Sequence, residues 1–146
     1  MNKWDKRFMQ LAELIASWSK DPSTGCGAVI VDQRKRIISL GFNGFPQSVN
    51  DDQSIYENRE EKYRRIIHAE KNALLFAQQD LTGCTIYVTP MPPCSQCAGM
   101  IIQAGISTVI TKQPNASHTE RWGKDINSTK TMFSEAGVIM EYFKEV

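Results

Sequence analysis

Ile67-His68-Ala69-Glu70 and Pro92-Pro93-Cys94-Ser95-Gln96-Cys97 are the two segments on which the reading of this chain turns. One imidazole and two thiols make three soft ligands for zinc. Three protein ligands leave a fourth position open to water, as in a catalytic site, whereas a structural zinc closes itself with a fourth residue. Glu70 stands two residues from His68, placed to move protons rather than to bind metal. Zinc lowers the pKa of bound water to about 7, and a carboxylate within about 3 Å can take the proton and pass it on. A redox Cys-x-x-Cys pair is the competing reading, but it needs no upstream His-x-Glu. Cys26, Cys84 and His118 could in principle complete a structural site, yet none has ligand-pair spacing to the others. Glu70 alone could be a first-turn acid offsetting a helix dipole.

Working outward, Cys84-Thr85-Ile86-Tyr87-Val88-Thr89 reads as a strand, and Pro92-Pro93 sets Cys94 at the start of a helix running to Ala104 and stopped by Gly105. The spacing predicts another helix over 68–79, with Ala69, Ala73, Leu74 and Ala77 on its apolar face. Both metal segments therefore fall at helix N-termini, where the positive helix end favours thiolates, and one turn puts Cys94 and Cys97 on one face. Upstream, Phe8, Leu11, Ala12, Ile15 and Trp18 predict a helix over 4–19, and Asp21-Pro22 opens a loop. Residues 27–31 and 36–42 read as an antiparallel pair around a polar turn. A long polar stretch runs from Asn43-Gly44-Phe45-Pro46 to Arg65, with a short helix over 56–64; a loop this long is usually functional or a subunit contact. Downstream, 107–111 reads as a strand, a polar loop follows, 128–136 as a helix with Met132, Phe133 and Ala136 inward, and 138–143 as a last strand. Cys26 and Cys84 read as small buried residues at strand starts. The order α-β-β-loop-α-β-α-β-α-β predicts an α/β fold, a three-layer αβα sandwich with a mixed five-stranded sheet.

The composition sets limits. At 146 residues the chain is expected to form one domain over 1–146, long enough for a real core. A formal net charge of +1 gives no polyelectrolyte signal for nucleic acid. The charged start, Met1-Asn2-Lys3-Trp4-Asp5-Lys6-Arg7, lacks the apolar core of a signal peptide, and no apolar run approaches the roughly 20 residues of a membrane span. Four cysteines, two of them in a metal pattern, suit a reducing cytoplasm.

His-x-Glu followed by Pro-Cys-x-x-Cys is the signature of zinc nucleobase deaminases. From about Trp4 to Phe143 the chain resembles the cytidine deaminase-like superfamily, and within it the deoxycytidylate (dCMP) deaminases. The resemblance is carried by Ser19-Lys20-Asp21-Pro22, Gly41-Phe42-Asn43-Gly44-Phe45-Pro46, His68-Ala69-Glu70-Lys71-Asn72-Ala73, Pro93-Cys94-Ser95-Gln96-Cys97-Ala98 and Gln103-Ala104-Gly105-Ile106. It implies a five-stranded deaminase fold, one catalytic Zn²⁺ per chain on His68, Cys94 and Cys97, and Glu70 as proton shuttle. It implies hydrolysis of dCMP to dUMP and ammonia, supplying dUMP for thymidylate synthesis, in a homohexamer. Asn43 matches a residue that contacts sugar and base, and the Ala69 N–H would meet the pyrimidine O2. Some relatives are activated by dCTP and inhibited by dTTP with Mg²⁺; Gly41, Phe42 and Gly44 resemble their effector-contacting turn.

The phosphate clamp departs from the family pattern: some relatives carry an arginine near Ser23, and this chain does not. Lys20, Ser23 and Thr24 are the candidates, with Tyr63 and Arg64 behind them; Lys20 could equally cap its helix. A tRNA adenosine deaminase would share the zinc motif but needs a basic face, and Lys62-Tyr63-Arg64-Arg65 is all this chain offers. A non-catalytic zinc scaffold would have no use for Glu70.

Overall fold

Strand β1 (Gly27–Val31) is buried along its whole length, and the architecture is arranged around it. The computed structural model describes residues 1–145; residue 146, the last of the expected domain, lies outside them. β1 pairs antiparallel with β2 (Ile37–Phe42) on one side and with β3 (Thr85–Thr89) on the other. β3 runs parallel to β4 (Thr108–Thr111), and β4 parallel to β5 (Ile139–Tyr142), giving a mixed five-stranded sheet in the order β2-β1-β3-β4-β5. Parallel neighbours need crossovers. Helix α5 (Ser95–Gln103) makes the first and α6 (Ala116–Ala136) the second.

Side chains alternate across each strand, so each face builds its own core. Ala28, Ile30, Ile86, Val88 and Val109 face Ala69, Ala73, Ala98, Ile101 and Phe133 from α4 (Ala69–Ala77), α5 and α6. Val29, Val31, Tyr87 and Ile110 face Phe8, Met9 and Ala12 of α1 (Lys3–Ala16). The expected three-layer α/β sandwich is thus observed. The contact between β2 and α4 is close enough to exclude a side chain: a Cβ on Gly41 would stand 2.6 Å from the Ala69 carbonyl oxygen and the Ala73 nitrogen. Alanines at 69, 73 and 77 on the inner face of α4 allow that approach and hold its N-terminus against the sheet.

Three elements differ from expectation. α1 stops at Ala16, because the Ser17 hydroxyl and N–H turn back to the Leu14 carbonyl; Trp18 is exposed, its ring edge-on to Phe42. The stretch before the histidine folds as two short helices, α2 (Gln53–Glu57) and α3 (Arg59–Arg65), hinged at Asn58. Tyr56 anchors it, stacked on Phe45 at 4.0 Å. The polar loop after β4 is the first half of α6, which begins at Ala116, far ahead of Ser128. Asn115 caps it, accepting from the His118 N–H. That half is polar because it faces solvent and a cleft rather than the core. Among the described residues, no helix is long and apolar enough to cross a membrane.

Candidate active site

His68 is the N-cap residue of α4 and Cys94 that of α5, so two helix starts meet at one point. His68 Nδ1 lies 3.4 Å from the sulfur of Cys94 and 3.4 Å from that of Cys97. All three donor atoms lie within 4.8 Å of one another. Tetrahedral zinc, with bonds of about 2.0–2.1 Å to nitrogen and 2.3 Å to sulfur, sets such ligands roughly 3.6 Å apart. The donor set therefore fits zinc with little movement, and the cluster has no fourth protein side chain among the described residues. Without a metal, His68 Nδ1 faces the thiols and donates to the Cys94 sulfur; with zinc on Nδ1 the ring proton would sit on Nε2.

The electrostatics follow from the packing. Hydrogen bonds from the Cys97 thiol, its backbone N–H and His68 hold the Cys94 thiol down at about 4. The same bond raises Cys97, which donates to it, and burial adds to that. Glu70, on the first turn of α4 and only 5% exposed, has its carboxyl raised above the ordinary value by burial, with nearby His68 opposing. Cys26 sits just before β1, half-buried, and burial together with the charge of Glu70 pushes its thiol up to about 12, so it stays protonated. Cys84 is buried just before β3, as expected.

These groups form the floor of a cleft whose walls come from the 21–26 loop, α3, the turn after β3 and the first half of α6. Of the expected substrate contacts, Ser23, Thr24, Asn43 and Tyr63 line it. Asn43 is 5% exposed and orders the 21–26 loop: its Oδ1 accepts from the Cys26 N–H at 2.7 Å, and its Nδ2 donates to the Thr24 carbonyl at 3.0 Å. One lone pair on Oδ1 remains for a ligand. The Ala69 N–H is among the α4 first-turn donors that have no partner within the helix. Lys20 lies outside the cleft lining, paired with Asp51 at 2.7 Å on the exposed side of the loop. Arg64 also lies outside the lining, paired with Glu61 along its own helix. Gly41 is consumed by the α4 contact, Phe42 packs on Trp18, and Gly44 pairs with Ile67 in an isolated bridge that anchors the segment leading to His68.

The sequence reading missed Arg59, Arg121, Trp122 and Asp125, all of which line the cleft. The signal for the last three was the Asn115 cap with Trp122, Ile126, Thr129 and Phe133 at helical spacing behind it. Asp125 does more than line the wall. Its carboxylate accepts from the Ser95 N–H at 2.9 Å and from the Ser95 hydroxyl at 2.6 Å, and one turn on, the Thr129 hydroxyl donates to the Pro93 carbonyl at 2.8 Å. α6 thus clamps the segment that carries Cys94 from both sides.

Comparison with known proteins gives a consistent picture. A model of the cytidine and deoxycytidylate deaminase zinc-binding region matches residues 2–113. An uncharacterised deaminase from the luxG 3′ region of Aliivibrio fischeri is 52% identical over 138 residues, covering 94% of this chain and 92% of that one. The deoxycytidylate deaminase of Homo sapiens is 35% identical over 147 residues, covering 97% and 80%. The crystal structure of the apo dCMP deaminase of cyanophage S-TIM5 superposes with a TM-score of 0.76 at 23% identity, covering 98% of this chain and all of that one, a likeness of fold.

Proposed function

Since the chain belongs to the cytidine and deoxycytidylate deaminase family, we propose that it converts dCMP and water to dUMP and ammonia. The observation that carries the reading is the buried Glu70 carboxyl beside three zinc-type donors at the floor of one cleft. Zinc held by His68, Cys94 and Cys97 would supply a nucleophilic hydroxide at neutral pH.

The chain's own groups do the rest. Val88, Met91, Trp122 and Ile126 make apolar surface along the cleft for the pyrimidine ring. The Ala69 N–H meets O2, and Asn43 Oδ1 takes a hydrogen bond from the sugar. Glu70 accepts a proton from the attacking water and delivers it to N3 as the new C–O bond forms at C4. It then carries the second water proton to the exocyclic amine; the C4–N bond breaks, ammonia leaves and C4 becomes a carbonyl. Burial of Glu70 suits this double duty, because it brings the carboxyl closer to the pKa of the groups it serves. The product is the precursor for thymidylate synthesis.

Self-association belongs to the same reading. Leu75 on α4 is 60% exposed and adjoins Met100 on α5, an apolar surface that a homohexamer would bury.

Incubating the zinc-loaded protein with dCMP, dCTP, cytidine and adenosine while following ultraviolet absorbance tests the reaction. Conversion of dCMP with little of the others is the expected result; turnover of adenosine in preference to dCMP would refute it.

A further inference from the structure

The chemistry at C4 uses no side chain of α2 or α3, yet α3 sends one inward. Lys62 is buried, and its ammonium donates to Asp21 Oδ1 at 2.8 Å. The Ser23 N–H donates to the same oxygen at 2.9 Å. With Oδ1 doubly engaged, the other carboxylate oxygen is left for Asn43, whose Nδ2 donates to it at 3.3 Å. The second N–H of that amide goes to the Thr24 carbonyl at 3.0 Å, and its Oδ1 accepts from the Cys26 N–H at 2.7 Å. The oxygen and nitrogen of an amide are nearly equal in size, so hydrogen bonding rather than shape chooses its orientation. A half-turn of Asn43 would set Nδ2 against the Cys26 N–H, and Oδ1 against a carbonyl and a carboxylate. Both N–H groups being spent, Asn43 offers the cleft an acceptor and no donor. All three partners of the amide belong to the segment 21–26. Asp21 closes that segment on itself through Ser23 and ties it to α3 through Lys62.

We propose that Asp21 and Lys62 are positioning residues for Asn43, and that α3 thereby sets a preference for a nucleotide with a free 3′-hydroxyl. This rests on the reading of the cleft as the site of dCMP deamination. That nucleotide has one free sugar hydroxyl, since C2′ carries none and the C5′ oxygen is esterified. The hydrogen bond to Asn43 Oδ1 therefore comes from the 3′-hydroxyl. Lys62 fixes which oxygen of Asp21 is turned on Asn43, and Asp21 fixes where the amide stands. In Asp21→Asn, an oxygen kept for Lys62 and Ser23 puts the new amide nitrogen against Asn43 Nδ2, donor against donor. Relief comes by moving Asn43 off the position from which Oδ1 meets the sugar.

The test compares kcat/KM for dCMP and for 2′,3′-dideoxycytidine 5′-monophosphate. It uses the zinc-loaded protein and its Asp21→Asn, Lys62→Met and Asn43→Ala forms, each checked for folding by circular dichroism. The unaltered protein should favour dCMP roughly 5- to 100-fold, the cost of leaving a buried acceptor unpaired. Asn43→Ala removes the acceptor, so the preference should shrink to within about two-fold. Asp21→Asn and Lys62→Met should each bring the preference most of the way to that floor, with the loss falling on dCMP and not on the dideoxynucleotide. Adding Asp21→Asn to Asn43→Ala should leave the ratio unchanged, because changes acting through one contact do not add. Asp21→Asn keeps the size of the side chain and carries the test if Lys62→Met does not fold. Parallel losses on both nucleotides, or additive changes in the ratio, would overturn the assignment and leave the pair a structural tie. Calorimetric binding of both nucleotides to the zinc-loaded Glu70→Gln protein, with and without Asp21→Asn, separates positioning from the reaction. Tighter binding of dCMP, abolished by Asp21→Asn, sustains the proposal even if the active protein turns over neither nucleotide, in which case the deamination reading falls alone. Equal binding of the two nucleotides overturns it.

Discussion

Lys62→Met should destabilise the protein by about 3 kcal/mol, more than any exposed ion pair in the molecule could account for. The Lys62 ammonium meets the Asp21 carboxylate at 2.8 Å, with the two side chains only 11% and 5% exposed. Removing one partner of such a pair leaves the other charge buried, at a cost of about 3–5 kcal/mol. The lower end applies because Asp21 keeps two donors, the Ser23 N–H at 2.9 Å and the Asn43 amide at 3.3 Å. Methionine retains most of the stem's packing, so the loss reports the charge. At about 2–4 °C per kcal/mol for a chain near this size, the midpoint of thermal unfolding should fall by roughly 6–12 °C. A double-mutant cycle with Asp21→Asn, read by calorimetry, isolates the coupling, and the double variant should lose less than the sum of the singles. Since this pair ties the loop carrying Ser23 and Thr24 to α3, the KM for dCMP should rise as well. Single variants each costing under about 1 kcal/mol, or strictly additive losses, would refute the argument that the pair is buried and coupled. Lys20→Ala provides the contrast: its partner Asp51 is equally near, but the pair is exposed and should contribute almost nothing.

Four further outcomes are expected. Glu70→Gln should keep zinc and fold but lose more than the roughly 10²–10⁴-fold of a single proton transfer, because one carboxyl serves several; steady-state rates beside metal analysis check this, and a near-normal kcat would send the proton by another route. Chelating the metal should leave Cys94 as the thiol alkylated first at pH 6–7 (about 2–3 units above its pKa of about 4), whereas Cys26, pushed up to about 12, stays protonated and slow; peptide mass mapping after iodoacetamide distinguishes them, and preferential Cys26 labelling would contradict the electrostatics. Asp125→Ala should speed zinc loss to a chelator with little change in far-ultraviolet circular dichroism, since it releases Ser95 beside Cys94; an unchanged rate would mean that α6 does not brace the metal segment. Asp32 is held below its ordinary value of 3.8, chiefly by the Arg36 backbone N–H and also by its side chain, so its stabilisation is present above 3.8 and fades as pH falls through the lower folded value. Asp32→Asn should therefore lower stability at neutral pH and flatten the acid limb below 3.8, visible in urea titrations across pH.

The sequence by itself determined the donor cluster and most of the sheet. The meeting of His68, Cys94 and Cys97 beside Glu70 was legible because the proposed three-ligand metal site with a proton shuttle restricts residue types and spacing within two short segments. The strands around β1 and β3 were legible because every second residue had to be apolar on both faces. What tertiary structure alone decided was everything set by residues distant in the chain. The first half of α6 faces a cleft and solvent rather than the core, so Trp122 and Ile126 alone carry its apolar spacing, and Arg121 and Asp125 look like ordinary surface charges until the fold brings them over Tyr63 and Ser95. Lys20 and Lys62 are alike as letters. Burial neutralises one against Asp21, and exposure leaves the other on Asp51 outside the cleft lining. Which cations remain free to meet a phosphate depends on which carboxylates stand within reach, a matter of distance and dielectric that one-dimensional spacing does not encode.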